Sequence, residues 1–122
     1  MEKKAKILIV DDERVQCLAI QRYLSKTGYE AIYATNREEA LRMVQEEKPD
    51  IAILDIRMPQ MSGFQVLERI RELRKDMPVI LSTAADDKRI QELLQRSEIQ
   101  AVCDKPVDLK ALAEAIDNCL SC

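Results

Sequence analysis

Ile51-Ala52-Ile53-Leu54 is an unbroken apolar run that stops at a carboxylate, Asp55, with Pro59 close behind. A short apolar run bounded in this way predicts a strand buried on both faces. Such a strand belongs inside a sheet that carries helices above and below it. Its last residue then emerges at the carboxyl edge of the sheet, where open α/β folds place their chemistry. The question the chain must answer is what else reaches that edge.

Four further runs have the same character. Ile7-Leu8-Ile9-Val10 ends at Asp11-Asp12-Glu13, Tyr29 to Ala34 is a weaker strand, Val79-Ile80-Leu81-Ser82-Thr83 follows Pro78, and Ile99 to Cys103 precedes Asp104-Lys105-Pro106. The segments between them repeat at helical spacing. Val15, Leu18, Ala19 and Leu24 are read as the buried face of the first helix, which Gly28 stops in the position a C-terminal cap prefers. Asn36 with Glu39 three residues later marks a second helix start, followed by Ala40, Leu41 and Val44 and closed by Pro49. Met61-Ser62-Gly63 leads into a third helix with Phe64, Leu67 and Ile70, flanked by Val66 and Leu73. Asp87 or Lys88 opens a fourth, with Ile90, Leu93 and Leu94 inward. Asp108 caps the last, which carries Leu109, Leu112, Ala113, Ile116 and Leu120.

Strand–helix alternation repeated five times predicts an α/β fold. The expected form is a flavodoxin-like (βα)5 three-layer sandwich, with a parallel five-stranded sheet in the order 2-1-3-4-5. The 122 residues make one domain, with no linker, low-complexity tract or output domain read in residues 1–122. No apolar run approaches membrane-spanning length and no signal-peptide core is present, so the chain is read as soluble and cytoplasmic, away from membranes. A net charge of −3 and only Phe64 and three tyrosines as aromatic residues argue against direct nucleic-acid binding. The four cysteines are read as reduced thiols, and the C-x-x-C spacing of Cys119 and Cys122 as coincidence, since the pair ends the chain instead of opening a helix. The chain contains no histidine, which excludes internal Ser-His-Asp and Cys-His catalysis.

In this strand order, strands one and three are neighbours at the topological switch point. Asp11, Asp12 and Asp55 therefore meet at one edge, with Thr83 ending strand four and Lys105 following strand five. Three carboxylates in one crevice repel one another and call for a cation. Oxygen donors without sulfur or imidazole suit Mg²⁺ or Mn²⁺. Mg²⁺ usually keeps waters and shares phosphate oxygens, so the acid cluster suggests a phosphoryl group as its further ligand. Lys105 and the Thr83 hydroxyl then stand on the other side of that group. A carboxylate can itself accept a phosphoryl group.

The motifs Asp11-Asp12, Asp55-x-x-Met58-Pro59-x-Met61-x-Gly63, Thr83-Ala84 and Lys105-Pro106 resemble the receiver domain of two-component response regulators, over Lys6 to Leu120. The resemblance implies that Asp55 is phosphorylated by a histidine kinase or phosphotransfer protein, whose imidazole supplies what this chain lacks. It implies that Asp12 and Asp55 ligate Mg²⁺ (or Mn²⁺) with the backbone carbonyl of Arg57, and that Asp11 acts through a metal-bound water. It further implies that Lys105 pairs with the phosphoryl group and that the Thr83 hydroxyl moves onto a phosphoryl oxygen. A cis Lys105–Pro106 bond and a tight turn at Gly63 are expected as well.

The output is expected to be a changed partner-binding face on the last two helices, read by a downstream protein target or an output domain. The resemblance also implies that the domain assists its own phosphorylation and dephosphorylation and is not a conventional enzyme. Three features depart from the family pattern: Val102 replaces the usual aromatic residue, Val107 follows Pro106 in place of the frequent phenylalanine, and the glycine before strand five is absent near Glu98. Valine has few χ1 options, which points to loop and backbone shifts or a weaker switch.

Competing readings are a non-phosphorylated receiver-like scaffold, an aspartyl-nucleophile phosphohydrolase and a flavin carrier. The second would want an acid where Arg57 stands. The third would want a phosphate-cradling turn where Asp11-Asp12-Glu13 stands. The charged helix around Arg69, Arg71, Arg74 and Lys75 is read as a solvated face.

Overall fold

The computed structural model describes residues 5–58, 61–83 and 88–121, the side chains of Met58 and Met61 excepted. The motif residues Pro59 and Ala84, the helix-opening Asp87 and the terminal Cys122 lie outside the described residues. Five strands form one sheet: β1 (Lys6–Val10), β2 (Glu30–Ala34), β3 (Ile51–Asp55), β4 (Val79–Thr83) and β5 (Ala101–Asp104). They pair in parallel in the order 2-1-3-4-5. The helices are α1 (Arg14–Lys26), α2 (Arg37–Glu46), α3 (Gly63–Leu73), α4 (Lys88–Gln95) and α5 (Leu109–Leu120). The expected flavodoxin-like three-layer architecture is the observed one.

The reason lies in the strands. Every residue of β3 and β4 is buried, as expected of strands covered on both sides. Alternate residues then feed two separate cores. Leu8, Val10, Ala52, Leu54, Val79 and Leu81 pack with residues of α2, α3 and α4 on one face. Ile7, Ile9, Ile51, Ile53 and Ile80 pack with α1 and α5 on the other. Each large side chain buried in this way contributes about 1.5–3 kcal/mol.

The helix ends follow the sequence signals. Asn36 accepts from the Glu39 N–H, and Asp108 accepts from the N–H groups of Lys110 and Ala111. Gly28 takes φ +98° just past α1, with its N–H on Ser25 O and that of Tyr29 on Leu24 O. This is the left-handed closure that glycine favours. Ser97 plays the same part after α4 at φ 59°, with its N–H on Leu94 O and that of Glu98 on Leu93 O. A serine thus holds a left-handed position beside the point where the family's glycine is missing.

Two readings need correction. The buried residues of α1 are Cys17, Ile20 and Leu24, whereas Val15 is 80% exposed and Ala19 is exposed. The period is that of a helix, but the turn through Asp11 and Asp12 delivers the other apolar stripe to the sheet. Arg71 is not on a solvated face. It donates to the carbonyls of Glu98, Arg74 and Met77 and binds the Gln100 side chain. Arg74 likewise donates to Pro49 O. These guanidinium groups satisfy backbone carbonyls at the end of the sheet remote from Asp55.

Candidate functional site

Asp11 leaves β1 and is held from several sides. Its N–H donates to Ala34 O, and its Oδ1 accepts from the N–H of Glu13 at 2.9 Å, which turns the chain into α1. Its carbonyl accepts from the Cys17 thiol at 3.4 Å. Burial pushes the Cys17 thiol up to about 12, with the Asp11 charge adding to the effect. Cys17 is therefore a neutral donor beneath the crevice and not a nucleophile.

Asp55 closes β3 only 3% exposed, as is Asp11. The Arg57 N–H donates to Asp55 Oδ1 at 3.2 Å, and the Lys105 ammonium sits 3.1 Å from Asp55 Oδ2. The same ammonium lies 3.2 Å from Asp11 Oδ2, so one cation bridges two buried carboxylates. Lys105 is placed by its backbone: its N–H donates to Thr83 O at 3.3 Å, and the bond to Pro106 is cis, as the resemblance implies. Asp12 is half-buried beside them, and a carboxylate oxygen from each of Asp11, Asp12 and Asp55 falls within 4.8 Å of the others.

The electrostatics follow from this geometry. Burial raises the Asp55 carboxyl above its usual range, against the hydrogen bond and charge of Lys105, and Asp11 adds to the rise. Asp12 is raised too, by burial first and then by the charge of Asp11. For Lys105, burial disfavours the ammonium, but the hydrogen bond to Asp55 and the charges of Asp11 and Asp55 prevail, and its pKa is raised. An all-oxygen acid cluster of this kind fits a hard divalent cation such as Mg²⁺. A cation there relieves repulsion that Lys105 partly offsets.

Of the remaining sequence candidates, Thr83 ends β4 at 1% exposure, directly across from Asp104 of β5. Arg57 pairs with Ser62 in a two-residue antiparallel ladder, Arg57–Met58 against Met61–Ser62, which was not foreseen. This ladder sets the start of α3, where the Ser62 side chain accepts from the Phe64 N–H. Gly63 is required for a reason other than turn freedom. A Cβ on it would lie 2.5 Å from Asp55 O and from Ile56 Cα. The backbone of α3 thus packs directly against the chain that carries Asp55.

Sequence reasoning passed over Ser82. It is 3% exposed and stands in register between Asp55 of β3 and Cys103 of β5. Counting by two along β4 places it on the Asp55 face of the sheet. That signal was available, but an apolar strand ending in Ser-Thr reads as ordinary strand composition. Val102 packs half-buried against the core on the α2–α3–α4 face.

Comparison with known proteins agrees with this geometry. The family model described as "Response regulator receiver domain" matches residues 7–117. The chain is 37% identical over 83 residues to the alkaline phosphatase synthesis transcriptional regulatory protein PhoP of Bacillus subtilis, covering 68% of this chain and 35% of that protein. It therefore spans about a third of that relative's length. It is 33% identical over 122 residues to protein PilH of Pseudomonas aeruginosa, covering 96% of this chain and 98% of that one. Among solved structures, a CheY-like response regulator receiver domain protein from Methanospirillum hungatei JF-1 superposes with a TM-score of 0.90 at 29% identity, over 98% of this chain and 95% of that chain. With the match running from the first strand into the last helix, the chain belongs to the response regulator receiver domain family, the phosphorylation-dependent switch of two-component signalling.

Proposed function

We propose that Asp55 is the phosphoryl acceptor of this switch. The observation that carries the reading is the Lys105 ammonium held between Asp55 and Asp11, within an acid cluster whose oxygens lie within 4.8 Å of one another. A buried carboxylate with a fixed cation on one oxygen is oriented to attack phosphorus with the other. Asp12 and Asp55, with the Arg57 backbone carbonyl, would hold Mg²⁺ or Mn²⁺, with Asp11 acting through a water; the bound ion supplies neutralisation of phosphoryl charge. Lys105 passes from the free carboxylate to a phosphoryl oxygen as charge develops there. Thr83 follows with its hydroxyl, and the shift spreads toward α4 and β5.

The donor is a histidine kinase or phosphotransfer protein, since the chain holds no imidazole of its own. Val15, the exposed large apolar residue at the start of α1, stands close in sequence to Asp11 and Asp12 and suits the approach of an apolar partner surface. The setting is cytoplasmic, and among the described residues no helix is long and apolar enough to cross a membrane. The reader of the switch is a downstream protein target or an output domain, and the domain acts as a signalling module and not as a conventional enzyme.

Incubation with Mg²⁺ and acetyl phosphate, followed by intact mass measurement, tests the reading. One added phosphoryl group is expected in the wild type, and none in Asp55→Asn or without divalent cation. A wild type left unmodified by acetyl phosphate and by histidine-phosphorylated donors would support the scaffold reading instead.

A further inference from the structure

Ser82 raises a question that the acid cluster does not answer. Its side chain is 3% exposed, and among the described residues its Oγ has no hydrogen-bond partner. A buried hydroxyl without a partner lowers stability, and native structures contain few of them. The residue two positions back on the same strand, Ile80, is apolar and packs on the α1–α5 face. An alanine at the Ser82 position would strand no polar atom, so packing alone does not call for the hydroxyl.

Its surroundings indicate what. Ser82 is the register partner of Asp55. Neighbouring strands run about 4.8 Å apart, and residues in register project from the same side of the sheet. Ser82 is therefore the side chain immediately beside the acceptor on β4. In the unphosphorylated site both Asp55 oxygens are already served, Oδ1 by the Arg57 N–H and Oδ2 by Lys105. Once an aspartyl phosphate forms, Lys105 is drawn to the phosphoryl oxygens and the carboxyl group loses that donor.

We propose that the Ser82 hydroxyl then donates to the Asp55 carboxyl group and governs the lifetime of the aspartyl phosphate. The inference rests on the reading of Asp55 as acceptor. In hydrolysis, a water oxygen bonds to phosphorus as the bond from phosphorus to the Asp55 oxygen breaks. The bonding pair stays on Asp55 as carboxylate, the water proton passes to phosphate or solvent, and inorganic phosphate leaves. Negative charge grows on the departing carboxylate in the transition state. A donor beside it stabilises that state more than the ground state, and so speeds the loss of phosphate.

The test uses the full chain. Wild type, Ser82→Ala, Ser82→Cys and Ser82→Thr are phosphorylated with acetyl phosphate and Mg²⁺, freed of donor by rapid desalting, and followed by intact mass. Ser82→Ala is expected to lose its phosphoryl group about three- to tenfold more slowly, the scale of one net hydrogen bond. Its melting temperature should equal or exceed that of the wild type, because an unpartnered buried hydroxyl has gone. The nearly isosteric Ser82→Cys, a weaker donor, should also decay slowly, while Ser82→Thr, which keeps the hydroxyl, should stay within about twofold of wild type. Wild-type decay in both Ser82→Ala and Ser82→Cys overturns the inference and leaves the acceptor assignment standing. A wild type that takes up no phosphoryl group overturns both.

Discussion

Asp55 and Asp12 are held as carboxylates at some expense to the fold, and the sign of that effect can be worked out. Burial is the first cause of the rise in both groups. A raised folded pKa means that the folded chain binds the proton more tightly than the unfolded one. Stability therefore falls as pH rises from the ordinary value of 3.8 through the raised folded value, and the full penalty is present above it. Asp12→Asn removes the Asp12 share. In urea titrations without divalent cation it should be more stable than wild type near neutral pH, with the gain fading as pH falls toward about 3.8. Gly63 gives a second test at this scale. Gly63→Ala forces a methyl group onto Asp55 O and Ile56 Cα and should lower unfolding free energy by about 1–3 kcal/mol in urea titration. Asp11, Asp12, Asp55 and Lys105 were legible in the chain because charged residues that end apolar runs must emerge at one edge. Ser82 was not, because a hydroxyl inside a strand has no sequence mark that separates a packed residue from a stranded donor. The need for Gly63 was foreseen, but its cause is the closeness of two backbones, which no pattern of residues displays.

At the scale of elements, α1 and α3 show where periodicity stops informing. The segment of α1 carries Val15, Leu18 and Ala19 on one side and Cys17 and Ile20 on another, both at helical spacing. Of the expected face, Leu24 is the residue that is fully buried, on the side of Cys17 and Ile20. Only the turn held by Asp11 Oδ1 and the Glu13 N–H decides that Cys17, Ile20 and Leu24 face the sheet. The consequence is an exposed Val15, three residues after Asp12 in the chain. Val15→Glu should slow phosphoryl transfer from a histidine-phosphorylated donor protein by about tenfold, as expected for an interface anchor, and leave uptake from acetyl phosphate unchanged. Arg71 was read as solvated because charged residues on helices usually are. Its place in the last turn of α3 instead sets its guanidinium against the carbonyls of Met77 and Glu98. Arg71→Met strands these acceptors and should cost about 2–3 kcal/mol in urea, with Arg71→Lys recovering only part of the loss.

The whole molecule was the most legible level. Five short apolar runs alternating with helical segments leave few arrangements, and the rule of right-handed crossovers narrows these to a sheet with two covered faces. The strand order itself came from the fold rule and not from any residue, and the sheet has that order. The division into two cores follows from it, with the acid cluster at the end of the sheet between them. A cation bound by the folded chain alone stabilises the molecule as a unit. At ten times its dissociation constant, Mg²⁺ should add about 1.4 kcal/mol, or about 5 °C in a thermal melt, and Asp12→Asn should lose most of that gain.

The central claim is that one carboxylate among three neighbours takes the phosphoryl group, and chemical trapping addresses it most directly. Borohydride reduction of an aspartyl phosphate leaves homoserine in the chain, and peptide mass sequencing locates it. After treatment with acetyl phosphate and Mg²⁺, homoserine is predicted at the position of Asp55 alone. Homoserine at Asp11 or Asp12, or at none of the three in a protein that has gained phosphoryl mass, would contradict the account.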